Sequence, residues 1–165
     1  MKSKAILAVL TCVLGAAVYG GTVLATPGSG FTATTLATAQ FGELDLRTHT
    51  VPADWMTLLK TKGRTDLYVQ SNVWTPGGTT GWHTHPGPSL IIVTAGTVTA
   101  YDGDDPSCTP HVYPQGSGFV DPGGGHVHVL RNEGAVEART IAVQLVPAGA
   151  GRRIDAPAPQ TNCAF

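Results

Sequence analysis

From Thr65 onward, short runs rich in Val, Ile, Thr and Tyr alternate with clusters of Gly and Pro. Alternation of apolar and polar positions turns one side of each run inward and the other to water, the pattern of half-buried β-strands. It predicts strands over 66–74, 79–85, 89–94, 97–102, 117–121, 126–131 and 138–146. Turns are expected at Thr75-Pro76-Gly77-Gly78, Pro86-Gly87-Pro88, Asp102–Pro106 and Asp121–Gly125. In the first strand Val69, Ser71 and Val73 are smaller and more apolar than Tyr68, Gln70, Asn72 and Trp74, which predicts that the first set faces inward. Upstream the pattern weakens. Residues 44–51 alternate and suit a short strand, and residues 54–60 are the one modest helical candidate, or else a turn. Residues 26–43, rich in Thr, Ala and Gly, read as a flexible leader with an edge strand near Thr32–Leu36. Residues 148–165 read as a C-terminal tail. Many short strands at this spacing make a single all-β domain over 44–147, a sandwich or barrel.

The first 25 residues break this pattern. Met1-Lys2-Ser3-Lys4 is positive, Ala5 to Ala25 carries no charge, and Val23-Leu24-Ala25 suits a cleavage site. These are the three parts of a secretory signal peptide. The alternative is an uncleaved membrane anchor, since 21 residues are enough to span. With the signal removed, the chain is exported, secreted or periplasmic, and has no stable membrane insertion. Export also changes the reading of the cysteines. Cys12 leaves with the signal, and Cys108 and Cys163 remain as an even pair suited to a disulfide in an oxidising compartment.

Composition supports this reading and removes other classes. The 21 Gly and 12 Pro among 165 residues disfavour helical bundles. Net charge is −1 with ten basic and eleven acidic residues, without a basic patch for nucleic acid.

The histidines carry the candidate chemistry. Four of the six form two His-x-His pairs, His83/His85 and His126/His128. Residues two apart in a strand point to one face, so each pair aims two imidazoles together. Imidazole is the commonest side-chain ligand of first-row transition metals. Trp82 points away from His83 and suits packing. His49 and His111 are isolated and read as surface residues.

The spacing around these pairs resembles the cupin family. Gly77, five residues, His83-Thr84-His85, three residues, position 89, six residues and Gly96 follow the first cupin motif. The departure is Ser89, which stands where the family has a glutamate. Gly116, Pro122 and Gly124 match the first half of the second motif, and His128 and Asn132 match its second half, one residue out of step. The resemblance covers about residues 66–146. It implies a small antiparallel double-sheet β-barrel, or jelly roll, with His83, His85 and His128 as metal ligands. His126 is an alternate or additional ligand. Ser89 and Gln144 are candidates to support the site from behind. The implied cofactor is a divalent transition metal (Fe, Mn, Ni, Cu or Zn). The resemblance also allows a homodimer, because cupin barrels often pair through their sheets.

Three neutral imidazoles leave a divalent ion its full charge, which favours an anionic partner. Two functions from different classes follow. One is an oxidoreductase, dioxygenase-like, acting on a small anionic or phenolic molecule. The other is a non-catalytic exported module that holds a small molecule or sugar. The motif strands offer no convincing general acid or base; Asp121 lies at a turn.

Overall fold

The structure, a computed structural model, describes residues 25–49, 55–160, 163 and 165. The signal-peptide segment, apart from Ala25, lies outside the described residues. Twelve strands are present and no helix among the described residues: β1 (Ser29–Phe41), β2 (Asp45–His49), β3 (Met56–Lys60), β4 (Thr65–Thr79), β5 (His83–Thr84), β6 (Ser89–Ala95), β7 (Thr97–Asp102), β8 (His111–Pro114), β9 (Gly118–Asp121), β10 (His128–Arg131), β11 (Ala138–Pro147) and β12 (Ile154–Asp155). The all-β jelly roll expected from the turn spacing is the fold observed. One arm of the sheet runs β1–β4–β11–β6–β9 and the other β8–β7–β10–β5–β12. Thr79 at the end of β4 pairs with Arg131 of β10 and joins the two. Every ladder is antiparallel, as expected for a closed double sheet.

The apolar core has two parts. Trp74, Val98, Ala100, Leu130 and Ala138 fill the space between the arms, with Phe31, Tyr113 and Phe119 against them. Trp82, Tyr101, Val129 and Ala156 form the second cluster beside Cys108 and Cys163. Trp82 is thus a packing residue, as its parity against His83 predicts. Asn132 is almost fully buried and works as a backbone clamp. Its Nδ2 donates to the carbonyls of Trp74 (3.1 Å) and Val136 (2.8 Å), and its Oδ1 accepts the Gly134 N–H (3.0 Å). An Asn132→Ala substitution strands these groups away from water and lowers unfolding free energy by about 2 kcal/mol, readable from a urea midpoint at unchanged slope.

Several expectations are corrected. The edge strand expected near Thr32–Leu36 is present but longer: residues 29–41 form β1, which pairs along the whole of β4 from Ser29↔Thr79 to Phe41↔Thr65, so this segment is not a flexible leader. Nearly all of β1 is exposed, so backbone hydrogen bonds and β-branched Thr residues hold it, with little apolar burial to mark it. Residues 56–60 are β3, paired with β2 in a separate hairpin, and not a helix. The strand β8 falls where no strand was expected. The inner face of β4 is the opposite of the predicted one: Gln70, Asn72 and Trp74 line the cavity. The cavity is partly polar, and its wall is satisfied from within, as where Asn72 Nδ2 donates to Thr140 Oγ1 at 3.1 Å. Size and apolarity therefore pointed the wrong way.

The segment after β11 is not a loose tail. β12 pairs with β5, Ile154 opposite Thr84 and Asp155 opposite His83. Arg153 donates to the Thr80 carbonyl at 2.8 Å. Cys163 is disulfide-bonded to Cys108, with Cα atoms 5.2 Å apart. Phe165 lies 4.9 Å from the Tyr101 ring, and the Arg131 guanidinium sits 4.0 Å over it.

Candidate metal centre

The site is built where short strands meet at one end of the barrel. His83 opens β5 and is paired with His128, which opens β10. Residues directly opposite in a ladder share a face, so both rings project to one side. Gly81 makes the approach to His83 possible. Its φ is +66°, and a Cβ there would lie 2.2 Å from the Thr26 carbonyl oxygen. The turn therefore demands glycine, and the same turn offers the Gly81 carbonyl to the His83 ring.

The rings of His83 and His128 are 4.4 Å apart, those of His83 and His85 4.8 Å, and those of His85 and His128 5.4 Å. One nitrogen from each lies within 4.8 Å of the other two. Each ring is tied through Nδ1 to a backbone carbonyl. His83 Nδ1 meets Gly81 O at 2.9 Å, His85 Nδ1 meets Arg152 O at 2.5 Å, and His128 Nδ1 meets His126 O at 3.4 Å. A carbonyl accepts only a proton, so Nδ1 carries the hydrogen and Nε2 keeps its lone pair. This is how a metal-binding imidazole is oriented from behind.

Burial also keeps the rings neutral. It pushes His83 down to about 2, helped by the charge on His128 and Arg153, and His128 down to about 4, against the pull of Asp121. His85 is lowered for the same reason, burial outweighing the Arg152 carbonyl and the Asp121 carboxylate. Neutral imidazole is the ligating form, so protons do not compete for this set near neutral pH. The donor set fits a divalent first-row transition ion, by nitrogen type and by spacing.

The trio borders a cavity of about 120 Å³, below the roughly 300–1,000 Å³ of drug-sized sites. One wall is a cross-strand row at a single level: Asp121 opposite Ser89, Ser89 opposite Gln144, and Gln144 opposite Tyr68. Ser89 and Gln144 are both buried and both line the cavity. Gln144 Nε2 donates to the Arg152 carbonyl at 3.2 Å, while its buried Oε1 has no donor among the described residues. Arg152 and Arg153 also line the cavity; the Arg152 guanidinium lies 5.1 Å over the Tyr68 ring, and that of Arg153 is held by the Thr80 carbonyl and the Asp155 carboxylate.

His126 is placed apart from His83 and His85. It precedes β10, outside the strand, so the same-face rule that pairs it with His128 does not apply. Its Nε2 is 3.3 Å from Asp102 Oδ1 and its Nδ1 3.7 Å from Asp121 Oδ1. With Asp121 and His128 it forms a second grouping of donor atoms. His111 is not isolated either, its Nε2 lying 3.4 Å from Asp102 Oδ2.

Asp121, Arg152 and Arg153 are the site residues that sequence reasoning missed. For Asp121 a signal existed: it lies one residue before the Pro-Gly turn of the second motif, level with the strand end that carries Ser89. The arginines sit in the segment taken for a tail, and nothing in their neighbourhood announces a site.

The family model for the cupin domain matches residues 73–144. Residues 73–144 of this chain are a cupin domain. The polyketide cyclase RemF from Streptomyces resistomycificus has a similar fold, with TM-score 0.51 at 15% identity over 84% of this chain and 82% of that one. A Klebsiella pneumoniae protein with a double-stranded β-helix domain matches at TM-score 0.46 and 19% identity, covering 70% of this chain and 84% of that one. A cupin superfamily protein from Desulfitobacterium hafniense matches at TM-score 0.43 and 9% identity, covering 68% and 81%. No curated protein matches the chain in sequence. At these identities the likeness is one of fold, and function has to be argued from the site. The close histidine trio contains His128 rather than His126.

Proposed function

We propose that this cupin is an exported metal-dependent oxidoreductase, dioxygenase-like, that takes a small anionic or phenolic molecule at a divalent ion held by His83, His85 and His128. The observation that carries the reading is the trio itself: three neutral rings, each fixed through Nδ1 by a carbonyl and left with Nε2 free. Metal of this kind would supply an electron-accepting centre with open positions for substrate. The chain's own part is to orient the rings and to attract the substrate. Arg152 and Arg153 favour a carboxylate or phenolate, and the small cavity favours a compact one. Ser89 and Gln144 line the same cavity as the trio, where they can hold water or a substrate oxygen.

Export rests on the N-terminal pattern, and the Cys108–Cys163 disulfide agrees with an oxidising compartment. Among the described residues no helix is long and apolar enough to cross a membrane. A homodimer is favoured by the long exposed β1 and by the exposed apolar side chains of the β2–β3 hairpin, Leu46, Met56 and Leu58. Light scattering on the eluting protein should give twice the chain mass, and a monomer at micromolar concentration overturns the pairing.

The first test is metal content by elemental mass spectrometry, on protein purified without chelator or affinity tag, beside His83→Ala/His85→Ala. About one equivalent of Fe, Mn, Ni or Cu, lost in the variant, is the expected result. An oxygen electrode with a panel of small phenolates and carboxylates then separates turnover from binding. One equivalent of zinc with no oxygen uptake favours the second reading, a non-catalytic module for a small molecule or sugar. No metal, with none taken up on titration, overturns the proposal.

A further inference from the structure

His128 and Asp121 border two cavities. One is the cavity of the trio. The other, of about 220 Å³, is also lined by Asp102, His111 and His126. Three imidazoles and two carboxylates thus face one small space, and these are donor types of a transition-metal site. No Lys or Arg lines this second cavity among the described residues.

Three of the five residues form a close set. One donor atom from each of Asp121, His126 and His128 lies within 4.8 Å of the other two. Their separations converge on one oxygen: Asp121 Oδ1 is 3.6 Å from His128 Nδ1 and 3.7 Å from His126 Nδ1. Both distances are too long for hydrogen bonds. Ligand atoms at about 2.1 Å from an ion stand about 3.4 Å apart in a tetrahedral set, which both distances approach.

The same side chains hold unpartnered atoms. His126 Nδ1 is buried and has no hydrogen-bond partner among the described residues. Asp121 is only 5% exposed, and its Oδ2 is buried without a donor among the described residues, while Oδ1 accepts the Gly123 N–H at 3.0 Å. On the other edge of the His126 ring, Nε2 lies 3.3 Å from Asp102 Oδ1. That carboxylate favours the ring hydrogen on Nε2 and leaves the Nδ1 lone pair facing Asp121. A carboxylate behind the imidazole is how many metal-ligating histidines are oriented. A lone pair that faces a carboxylate oxygen repels it, and a cation between them turns the repulsion into coordination.

We propose that Asp121 Oδ1, His126 Nδ1 and His128 Nδ1 bind a second divalent first-row ion, on the far side of His128 from the trio. The His128 ring then serves both centres, Nε2 toward His83 and His85 and Nδ1 toward the second ion. Its Nδ1 contact to the His126 carbonyl, at 3.4 Å, is the longest of the three that orient the trio. The ring proton held there leaves to solvent as the ion enters, as metal binding to imidazole requires. Asp102 orients His126, and the half-exposed His111, 3.4 Å from Asp102 Oδ2, stands on the way in. This site goes beyond the three-histidine reading and shares only His128 with it.

The test is a Zn²⁺ titration of the chelator-stripped full chain by calorimetry. The forms compared are wild type, His83→Ala, His126→Ala, His83→Ala/His126→Ala and Asp121→Asn. Wild type should take up about two equivalents. His126→Ala should keep the one that His83→Ala loses, His83→Ala should keep the other, and the double variant should take up neither. Asparagine at 121 keeps an oxygen for the Gly123 N–H, and should weaken the second equivalent by at least about 100-fold, the upper end of what losing a ligand's supporting partner costs. A single equivalent in wild type overturns the second site; if His83→Ala alone loses it, the three-histidine centre stands without a neighbour. Two equivalents that persist in His126→Ala place the second ion elsewhere and also overturn it. Should His126→Ala lose both, Asp121→Asn decides, and an unweakened second equivalent there overturns the assignment. No uptake by wild type sinks both centres.

Discussion

Replacing both Cys108 and Cys163 with serine should lower the stability of the folded chain by about 4 kcal/mol. The bridge spans a sequence separation of 55 residues, and closing a loop of that size in the unfolded chain accounts for about 4 kcal/mol. The native contacts around it are otherwise kept by serine. Guanidinium titrations of the oxidised wild type and the double variant measure the difference. A loss below about 1 kcal/mol would mean that the unfolded chain is already compact around these residues. The bridge also anchors the segment that carries Phe165, Arg153 and the Arg152 carbonyl. Limited proteolysis of the variant should therefore cut first between β11 and the C-terminal end, and wild type should resist there.

Acid should unfold the metal-free protein well before carboxylate protonation explains it. His83 has a folded pKa of about 2 and His128 of about 4, both lowered by burial, against 6.5 for a free histidine. Between the folded and unfolded values the unfolded chain binds protons that the folded chain refuses. Stability is therefore complete above about pH 6.5 and declines as the pH falls below it. From pH 7 to pH 5 each ring costs about 2 kcal/mol, so the pair costs about 4. Urea unfolding at pH 7, 6 and 5 should show this decline. A His83→Gln variant, with nothing to protonate at that position, should lose about 2 kcal/mol less than wild type over this range. A flat profile in the metal-free wild type would mean that water reaches the rings.

The residues differ in how plainly they spoke from the sequence. The strands with true alternation, such as β6 and β11, bury every second side chain and were readable to within a residue or two. β1 was legible only as an edge strand near Thr32–Leu36, because a strand exposed on both faces has no apolar period to mark its length; its partner, rather than its side chains, determines it. The inner face of β4 was misread for the converse reason, that this wall serves a polar cavity. His83, His85 and His128 were legible because spacing alone brings two of them together and the motif adds the third. Asp121 was passed over because a carboxylate before a Pro-Gly turn is usually solvated, and only the β6–β9 register shows it opposite Ser89. Arg152 and Arg153 were beyond reach, since a long connection with no periodicity places them.

The support of His85 by Arg152 has a consequence for the timing of folding. β11 is the last long strand of the barrel, and all the ladders that close it are available once residue 147 has been made. The carbonyl that orients His85, the β12 partner of His83 and the cysteine that meets Cys108 all come afterwards. In refolding, the barrel can therefore close, with His83 and His128 facing each other, before this segment docks and fixes His85. Docking of the segment after β11 is then the step that makes the site discriminating.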